Sequence, residues 1–389
     1  MYVAFAPGDN EWENGWLFAY SLNSNNNAFN PPAVFLSTPY GTGGGIWGSE
    51  AGPASDGASI FTVTGNGTYD VNGVIPATRD FSDSILKLNP PVNKQLAIMD
   101  YFTPSDVLNY QPPPPLHSNG LGRCINDTDL GSGGLMVFPD IFYSSGGQSL
   151  TLAVNADKAS NIYILNTNNL GKYISSGGTT SEGNNIQTVR RPGSQDGVGY
   201  PQPAQGYWSS PSYWNYSNNG ANYYNLYYAA TFQRSTATEK YIPYPIYQFG
   251  LNTTSPLIPD SAATGTQTLF CQFSPTTSIS SYGTTAGTGI LWGIEHRNFN
   301  APTNCDDTTH ELGAALHAYN ASNISTELYN SANPNAPLNL AAPTPFATPT
   351  IFQSRVYVGA ANLGAGNPSN VYVFGLCSTG PSQNCISPQ

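Results

Sequence analysis

The sequence predicts an all-β fold, and three observations support this prediction. Charged residues make up only 9% of the 389 residues, while Gly (40), Pro (32) and Tyr (25) are abundant. Asn, Ser and Thr therefore supply most of the polar surface. These three residue types form helices poorly and are more common in strands or turns. Short runs that alternate apolar and polar residues recur along the chain. No segment shows a helical pattern longer than a turn or two.

The stretch from Gly43 to Leu88 shows the repeating unit most clearly. Ser59–Thr64 (SIFTVT) and Ser84–Leu88 (SILKL) alternate with period 2, as half-buried strands do. The tripeptide 65–67 (GNG) between them predicts a turn, because Gly and Asn accept positive φ angles. Residues 46–49 (IWGS) predict a short additional strand. The unit is therefore expected to be a small antiparallel sheet.

Six copies of this pattern occur along the chain. Packing such sheets radially buries their faces, so the sequence predicts one β-propeller domain over residues 1–389, with four-stranded antiparallel blades. A β-sandwich is the alternative architecture, but it does not require the same hairpin six times. The repeat cores lie near residues 2–22, 45–88, 129–171, 206–251, 289–322 and 346–376, followed by a C-terminal tail at 377–389.

Composition also restricts the partners and the location. The net charge is -11, and the 12 Lys and Arg residues are scattered, so no basic stripe for a nucleic acid is present. No apolar run reaches the length of about 18 residues expected of a membrane-spanning helix. The N-terminus lacks a signal-peptide pattern and begins on an apolar strand, which suggests that an export signal lies outside the numbered chain. Low charge and the sequons at Asn215 and Asn320 favour an extracytoplasmic location, whether secreted, periplasmic or at the cell surface.

The five cysteines leave the disulfide pairing open. Cys377 and Cys385 flank a short polar loop, and Cys124 and Cys305 both lie in loops rich in Asn and Asp, so either pair could form a bridge. Cys271, in the apolar sequence LFCQF, is expected to be a buried thiol. The spacings match no zinc site.

Several motifs together resemble a known family. In order, GGGIWGS, VTGNG, SDSILKL, DLGSGG, NIYILNTNNLG, SSPSYW and LHAYNAS resemble the quinoprotein-type β-propellers, the pyrroloquinoline quinone (PQQ)-binding-like repeat proteins of secreted bacterial type. The resemblance extends from the first strand to Leu376. It implies a propeller in which full-length relatives carry about two further blades before the position of Met1. The six copies would then close as a ring or form the later part of a seven- or eight-bladed one.

The resemblance also implies a cofactor site and a departure from it. In the dehydrogenases of this family, a Trp at the position of Trp47 stacks on PQQ, and an Asn at the position of Asn66 helps to bind Ca²⁺. The segment that carries their catalytic base corresponds to residues 103–110, where Asn109 stands at the position of the catalytic Asp. An amide cannot accept the substrate proton. The resemblance therefore implies the fold with a degenerate dehydrogenase site. The alternative roles, which the residue types favour, are packing between blades for Trp47 and a turn position for Asn66.

Other residues are candidates on their own chemistry. Glu295 and His296 follow a predicted strand and could act as acid, base or ligand, or belong to a solvated loop. Asp129 and Ser132 begin a predicted inner strand, where they could line a central pocket or cap the strand entry. Asp129 is also a further candidate catalytic carboxylate. The candidate residues of a ligand pocket are Ser49, Asp129, Ser132, Trp208 and Trp292.

These observations support three functional hypotheses. The first is a binding or scaffold module for a carbohydrate, a surface polymer or a protein, since the Tyr-rich segment 207–247 suits sugars and protein interfaces alike. The second is an alcohol or sugar oxidoreductase that depends on PQQ and Ca²⁺. The third is a polysaccharide-active enzyme that uses Glu295 or Asp129. The sequence favours the first hypothesis and leaves enzymatic activity open.

Overall fold

A computed structural model of the chain has the all-β composition that the sequence predicts. The part of the chain that it describes contains strands and turns and no α-helix, and no helix there is long and apolar enough to cross a membrane. The chain forms two compact units, Met1–Gly199 with Thr253–Leu257, and Tyr200–Asn252 with Ile258–Gln389. The single propeller domain stays a prediction. The described residues are 1–6, 14–69, 80–105, 107, 129–158, 161–174, 185–190, 208–229, 233–234, 241–242, 244–259, 263–270, 275–298, 312–332, 340, 342–343, 347–361 and 370–375.

The first unit contains three main sheets, in which most neighbouring strands are antiparallel. Sheet 1 has the order β1-β2-β5, sheet 2 the order β6-β7-β8-β9 with β15 added in parallel to β9, and sheet 3 the order β10-β13-β14-β16. The pairs β3-β4 and β11-β12 are small separate hairpins. The strands are β1 (Tyr2–Phe5), β2 (Trp16–Ala19), β3 (Leu22–Asn23), β4 (Ala28–Phe29), β5 (Ala33–Leu36), β6 (Ala54–Ser55), β7 (Ile60–Val63), β8 (Ile85–Leu88), β9 (Ile98–Thr103), β10 (Met136–Val137), β11 (Tyr143–Ser145), β12 (Gln148–Leu150), β13 (Leu152–Ala156), β14 (Asn161–Asn166), β15 (Lys172–Tyr173) and β16 (Gln187–Arg190).

The second unit contains three more main sheets of the same kind. Sheet 4 has the order β17-β18-β21-β22, sheet 5 the order β23-β24-β25-β26, and in sheet 6 the strand β29 pairs with β27, β28 and β30. The pair β19-β20 is a separate hairpin. The strands are β17 (Ser212–Asn218), β18 (Ala221–Ala229), β19 (Gln233–Arg234), β20 (Tyr241–Ile242), β21 (Ile246–Gly250), β22 (Ala263–Gly265), β23 (Ser278–Ser280), β24 (Ile290–Asn298), β25 (Leu312–Asn320), β26 (Glu327–Asn330), β27 (Ala342–Pro343), β28 (Thr350–Phe352), β29 (Arg355–Ala361) and β30 (Asn370–Gly375).

Each of the six main sheets of the described residues has strands within one of the six predicted repeat cores, in the same chain order. Every one of these sheets also has strands outside its core, so the bounds of the cores stay a prediction. The number of blades and the closure of a ring remain predictions, because the sheets alone do not establish either.

Within each unit, the middle sheet is buried on both faces. In sheet 2, Ile60 packs in a core with Leu17 of sheet 1, while Phe61 packs in a second core with Tyr163 of sheet 3. Sheet 5 lies in the same way between sheets 4 and 6, and its residue Ile294 packs against Val358. Since successive side chains of a strand point to opposite faces, this arrangement explains why β7 is buried along its whole length.

Two local predictions are wrong. Residues 46–49 form no strand, and within this segment only Ser49 makes a β-bridge, to Gly133. Gly48 adopts a φ of 47°, which is incompatible with a pleated strand. Asp129 and Ser132 likewise do not begin a strand, because the next one starts at Met136.

Candidate functional site

Three of the predicted site residues lie together around Gly65. A methyl group on Gly65 would stand 2.5 Å from Oδ1 of Asp129 and 3.0 Å from Nε1 of Trp47, so only glycine fits between them. The backbone N–H of Asn66 donates a hydrogen bond of 2.7 Å to the same Asp129 oxygen. We call Trp47, Gly65, Asn66, Asp129 and Lys158 the Gly65 cluster.

Lys158 neutralises the carboxylate of this cluster. Its Nζ lies 2.6 Å from Oδ2 of Asp129, and the two side chains are only 12% and 9% exposed. The backbone N–H of Lys158 also donates to the backbone carbonyl of Asp129. One carboxylate oxygen therefore accepts a backbone N–H and the other an ammonium group, so Asp129 is held as an ion-paired structural group.

Within the described residues, the Gly65 cluster offers few ligands to Ca²⁺. A small cleft beside Trp47 has room for about one water molecule, and its lining includes Ile46 and Phe61 but no other member of the Gly65 cluster. Ca²⁺ takes six to eight oxygen ligands. The side-chain oxygen of Asn66 is buried without a hydrogen-bond partner, but the neighbouring carboxylate of Asp129 already holds an ammonium group. The described ranges contain no group of three or more His, Cys, Asp or Glu residues that could share a metal ion.

The other predicted pocket residues have identifiable structural contacts or positions. Ser49 donates hydrogen bonds through both its backbone N–H and its hydroxyl to the carbonyl of Ser132, and so ties two chain segments together. Trp292 donates from Nε1 to Ser280 at 2.9 Å and packs at the edge of the core between sheets 5 and 6. Trp208 is half-buried just before β17. Their assignment to a ligand pocket stays a prediction.

A second polar cluster lies in sheet 5 and contains the predicted residue Glu295. Its Oε2 lies 2.9 Å from Nε2 of His317, and the imidazole is fully buried. Nδ1 of the same imidazole lies 2.7 Å from Oε1 of Glu327. We call Glu295, His317 and Glu327 the His317 triad.

A β-bulge places Glu327 in this triad. His317 pairs with Asn330 and Ala318 with Tyr329, so a regular ladder would pair Tyr319 with Leu328. The register instead shifts between Ala318 and Tyr319, and Tyr319 pairs with Glu327. Because paired residues share a sheet face, the shift brings Glu327 to the face that carries His317.

The triad favours a charged imidazole. Burial alone would lower the pKa of His317, but the hydrogen bonds and charges of Glu295 and Glu327 outweigh burial and raise this pKa above its usual value of 6.5. Burial would likewise raise the pKa of Glu327, and the hydrogen bond and charge of His317 lower it instead. A protonated His317 can donate from both ring nitrogens, which satisfies both carboxylates.

His296 is separated from Glu295. The two residues are neighbours in β24, so their side chains point to opposite faces of sheet 5. Burial lowers the pKa of His296 to about 4. The structure therefore brings Glu295 together with His317 rather than with His296. Asn109, the acidic residues that follow Cys305, and all five cysteines lie outside the described residues.

Sheet 1 carries an exposed apolar face that the sequence-based interpretation did not identify. In the strands of sheet 1, Leu17 and Phe35 point into the core. The residues next to them in each strand point to the opposite side of the sheet, which we call the outer face. Phe5 is 52% exposed and Val34 is 39% exposed. The ring of Phe18 contacts Phe5 edge-on at 5.5 Å and stacks on Trp16 at 6.1 Å. The outer face consists of Val3, Phe5, Trp16, Phe18, Val34 and Leu36.

The signal for this face was visible in the sequence. Residues 16–20 (WLFAY) are all apolar or aromatic, without the alternation of a half-exposed strand. Such runs are typical of strands covered on both faces. The core of sheet 2 covers one face of β2, and the other face is exposed.

Comparison with solved structures finds distant similarities. BamB from Moraxella catarrhalis is 9% identical over 95% of this chain and 81% of its own, with a TM-score of 0.35. The quinohemoprotein alcohol dehydrogenase ADHIIG from Pseudomonas putida HK5 is 12% identical over 92% of this chain and 54% of its own, with a TM-score of 0.43. The quinohemoprotein alcohol dehydrogenase from Comamonas testosteroni is 14% identical over 98% of this chain and 59% of its own, with a TM-score of 0.39.

This chain therefore spans little more than half the length of the two dehydrogenases. No protein-family model and no curated protein sequence matches it. At such TM-scores and identities the similarities establish no function, so function is argued from the residues themselves.

Proposed function

We propose that this chain is an extracytoplasmic, propeller-type binding and scaffold module that docks a protein partner on the outer face of sheet 1. One observation carries the proposal: all six residues of that face are apolar, yet Phe5, Trp16 and Val34 are exposed. Contiguous exposed apolar patches of this kind mark interaction sites.

The chemistry of the outer face favours a protein over a carbohydrate. A sugar site needs polar groups that bind the hydroxyls of the sugar. Among the six side chains of the outer face, only Trp16 can form a hydrogen bond, through Nε1. Protein interfaces instead have apolar centres enriched in Trp, Tyr and Phe. The ring contacts of Phe18 with Phe5 and Trp16 hold these side chains in place before a partner arrives.

The candidate catalytic carboxylates also support a binding role. Asp129 is paired with Lys158, and Glu295 with the imidazole of His317. A general acid or base needs to exchange its proton with a substrate. Both carboxylates are instead engaged by buried cationic groups of the protein itself.

Site-specific crosslinking tests the docking surface. A photo-crosslinking amino acid at Trp16 is expected to form one discrete protein adduct in the cells that produce the chain, and the same probe at Tyr40, which is 67% exposed, is not. Val34→Glu should abolish the adduct and weaken binding of the identified partner in a titration with purified proteins. Equal adducts at both positions, or unchanged affinity of the Val34→Glu variant, would overturn the proposal.

Two further parts of the proposal, the lack of dehydrogenase activity and the extracytoplasmic location of the protein, need separate tests. Purified protein incubated with PQQ and Ca²⁺ is expected to reduce no dye with alcohols or aldoses, and clear turnover would reject a purely binding role. Fractionation of producing cells should place the protein outside the cytoplasm.

A further inference from the structure

The hairpin of β17 and β18 carries three aromatic rings in one continuous stack. The rings of Trp214 and Tyr216 lie 4.7 Å apart at 23°, and those of Tyr216 and Tyr223 lie 4.9 Å apart at 9°. Trp214 and Tyr216 are two residues apart in β17, and Tyr223 is the direct cross-strand partner of Tyr216. All three side chains therefore lie on the same face of sheet 4.

The stack is fixed at its inner end and open at its outer end. Trp214 is 5% exposed, and its Nε1 donates a hydrogen bond of 3.0 Å to the carbonyl of Gly283. Tyr216 is 9% exposed, whereas Tyr223 is 44% exposed. Since the ring of Tyr216 covers one side of Tyr223, the exposed area belongs to the opposite side and the edge of the Tyr223 ring.

A tight turn and a polar residue border the open ring. Asn219 and Gly220 both adopt positive φ angles, 51° and 79°, as in a two-residue type I′ turn, which fixes the hairpin. Asn218 is exposed, follows Tyr216 on the same face, and pairs with the small residue Ala221. An amide that can donate and accept hydrogen bonds thus lies on the same side as the open ring, with little side-chain volume opposite it.

We propose that Tyr223 is the stacking platform of a binding site for a neutral glycan. The apolar C–H face of a pyranose would lie on the open side of the ring, and its hydroxyl groups would bond to Asn218 and to the Tyr223 hydroxyl. Residues 208–229 contain no Asp, Glu, Lys, Arg or His, so the hairpin itself offers no counter-charge to an ionic ligand. A nucleobase would stack equally well, but single-stranded nucleic acids also require a cationic groove.

This site is independent of the outer face of sheet 1, since the two surfaces belong to different units and have different chemistry. The outer face is purely apolar, whereas the Tyr223 platform combines an open ring with amide and hydroxyl groups. A failure of protein docking would therefore leave the glycan proposal standing, and the reverse also holds.

Saturation-transfer NMR and calorimetric titration with defined hexasaccharides test the platform. The neutral probes are hexasaccharides of β-linked glucose, α-linked glucose, β-linked mannose and β-linked N-acetylglucosamine, and hexagalacturonate is the charged comparison. At least one neutral hexasaccharide is expected to bind the wild type, and more tightly than hexagalacturonate. The Tyr223→Ala variant should bind it at least about tenfold more weakly, as expected for loss of one aromatic contact and its buried area.

Matched variants distinguish stacking from general effects. Tyr223→Phe keeps the ring and should retain most of the affinity, Asn218→Ala should weaken it a few-fold, and Tyr40→Ala, another exposed tyrosine, should leave it unchanged. Urea midpoints should show that all four variants remain folded. The proposal is overturned if no neutral hexasaccharide binds, if the charged one binds best, or if Tyr223→Ala and Tyr40→Ala behave alike.

Discussion

Glu295 and His317 meet diagonally across the ladder of β24 and β25, with Oε2 of the carboxylate 2.9 Å from Nε2 of the imidazole. Their direct cross-strand partners are small: His317 pairs with Gly293, and Glu295 pairs with Ala315. This combination leaves room for both polar side chains beside one another. Phe270 and Tyr319 pack against the imidazole ring, at 5.5 and 6.0 Å between centroids. The charge of His317 is therefore balanced almost entirely by its two carboxylates.

The two carboxylates of the His317 triad should contribute unequally to stability. Glu295 is 9% exposed at its side chain and Glu327 is 34% exposed. Glu295→Gln is expected to lower the free energy of unfolding by about 1–3 kcal/mol, the range for a buried hydrogen bond to a charged group. Glu327→Gln should cost less, about 1 kcal/mol, because solvent partly screens the more exposed carboxylate of Glu327. Urea unfolding at pH 6 measures both, and equal losses would contradict this ranking.

The two buried histidines should give opposite pH dependences. The pKa of His317 is raised, so its stabilisation is complete below pH 6.5 and is lost as the pH rises through the folded-state pKa. The pKa of His296 is lowered to about 4, so the folded state loses stability as the pH falls from 6.5 towards 4. His296→Gln should therefore flatten the acid side of the stability profile, and His317→Gln the alkaline side.

Melting temperatures measured from pH 4 to pH 9 would show these two changes. Glu327, whose pKa is lowered, adds stabilisation that is complete above pH 4.5 and lost below it, so its effect is confined to the most acid points. A wild-type profile unchanged by either histidine substitution would contradict the assigned directions.

The strands were predictable because alternation is a local property. Residues 355–361 lie within the predicted repeat core at 346–376, and they form β29. The run at 59–64 likewise contains β7, Ile60–Val63. The prediction failed at residues 46–49, where the short apolar run looks like a strand but Gly48 takes a positive φ. Patterning identifies where the chain can be extended, and a single backbone angle can override it.

The polar clusters were not predictable because they depend on register. Glu295 and His296 looked like a cluster since they are adjacent in sequence, but adjacent strand residues face opposite sides. The partner of Glu295 is set by the pairing of β24 with β25, and that of His317 also by a bulge at Tyr319. The pattern of apolar residues shows which face of a strand is buried, but it does not identify which residues are paired across the ladder. Lys158 was missed for the same reason, since its partner Asp129 is 29 residues away.

The ion pair of Asp129 and Lys158 should behave as one unit. Asp129→Asn and Lys158→Met each leave a nearly buried charge without its partner, and each is expected to lower the free energy of unfolding. The double variant should lose less than the sum of the single variants, with a coupling energy of about 1–3 kcal/mol. Urea unfolding of the four proteins at pH 7 measures the coupling. Additive losses would show that Asp129 and Lys158 do not stabilise one another.

Neighbouring residues of β5 test whether the outer face of sheet 1 is exposed in the folded protein. Phe35 is 8% exposed and packs in the core, whereas Val34 is 39% exposed and points the other way. Phe35→Ala is expected to cost about 3–5 kcal/mol, as for other large core residues. Val34→Glu should change stability by less than about 1 kcal/mol, because an exposed position can solvate the carboxylate. If another part of the folded protein covered this face, the new charge would be buried without a partner, and Val34→Glu would destabilise the fold as strongly as Phe35→Ala. Equal stability losses in urea would therefore reject the docking surface itself, whatever partner it was proposed to bind.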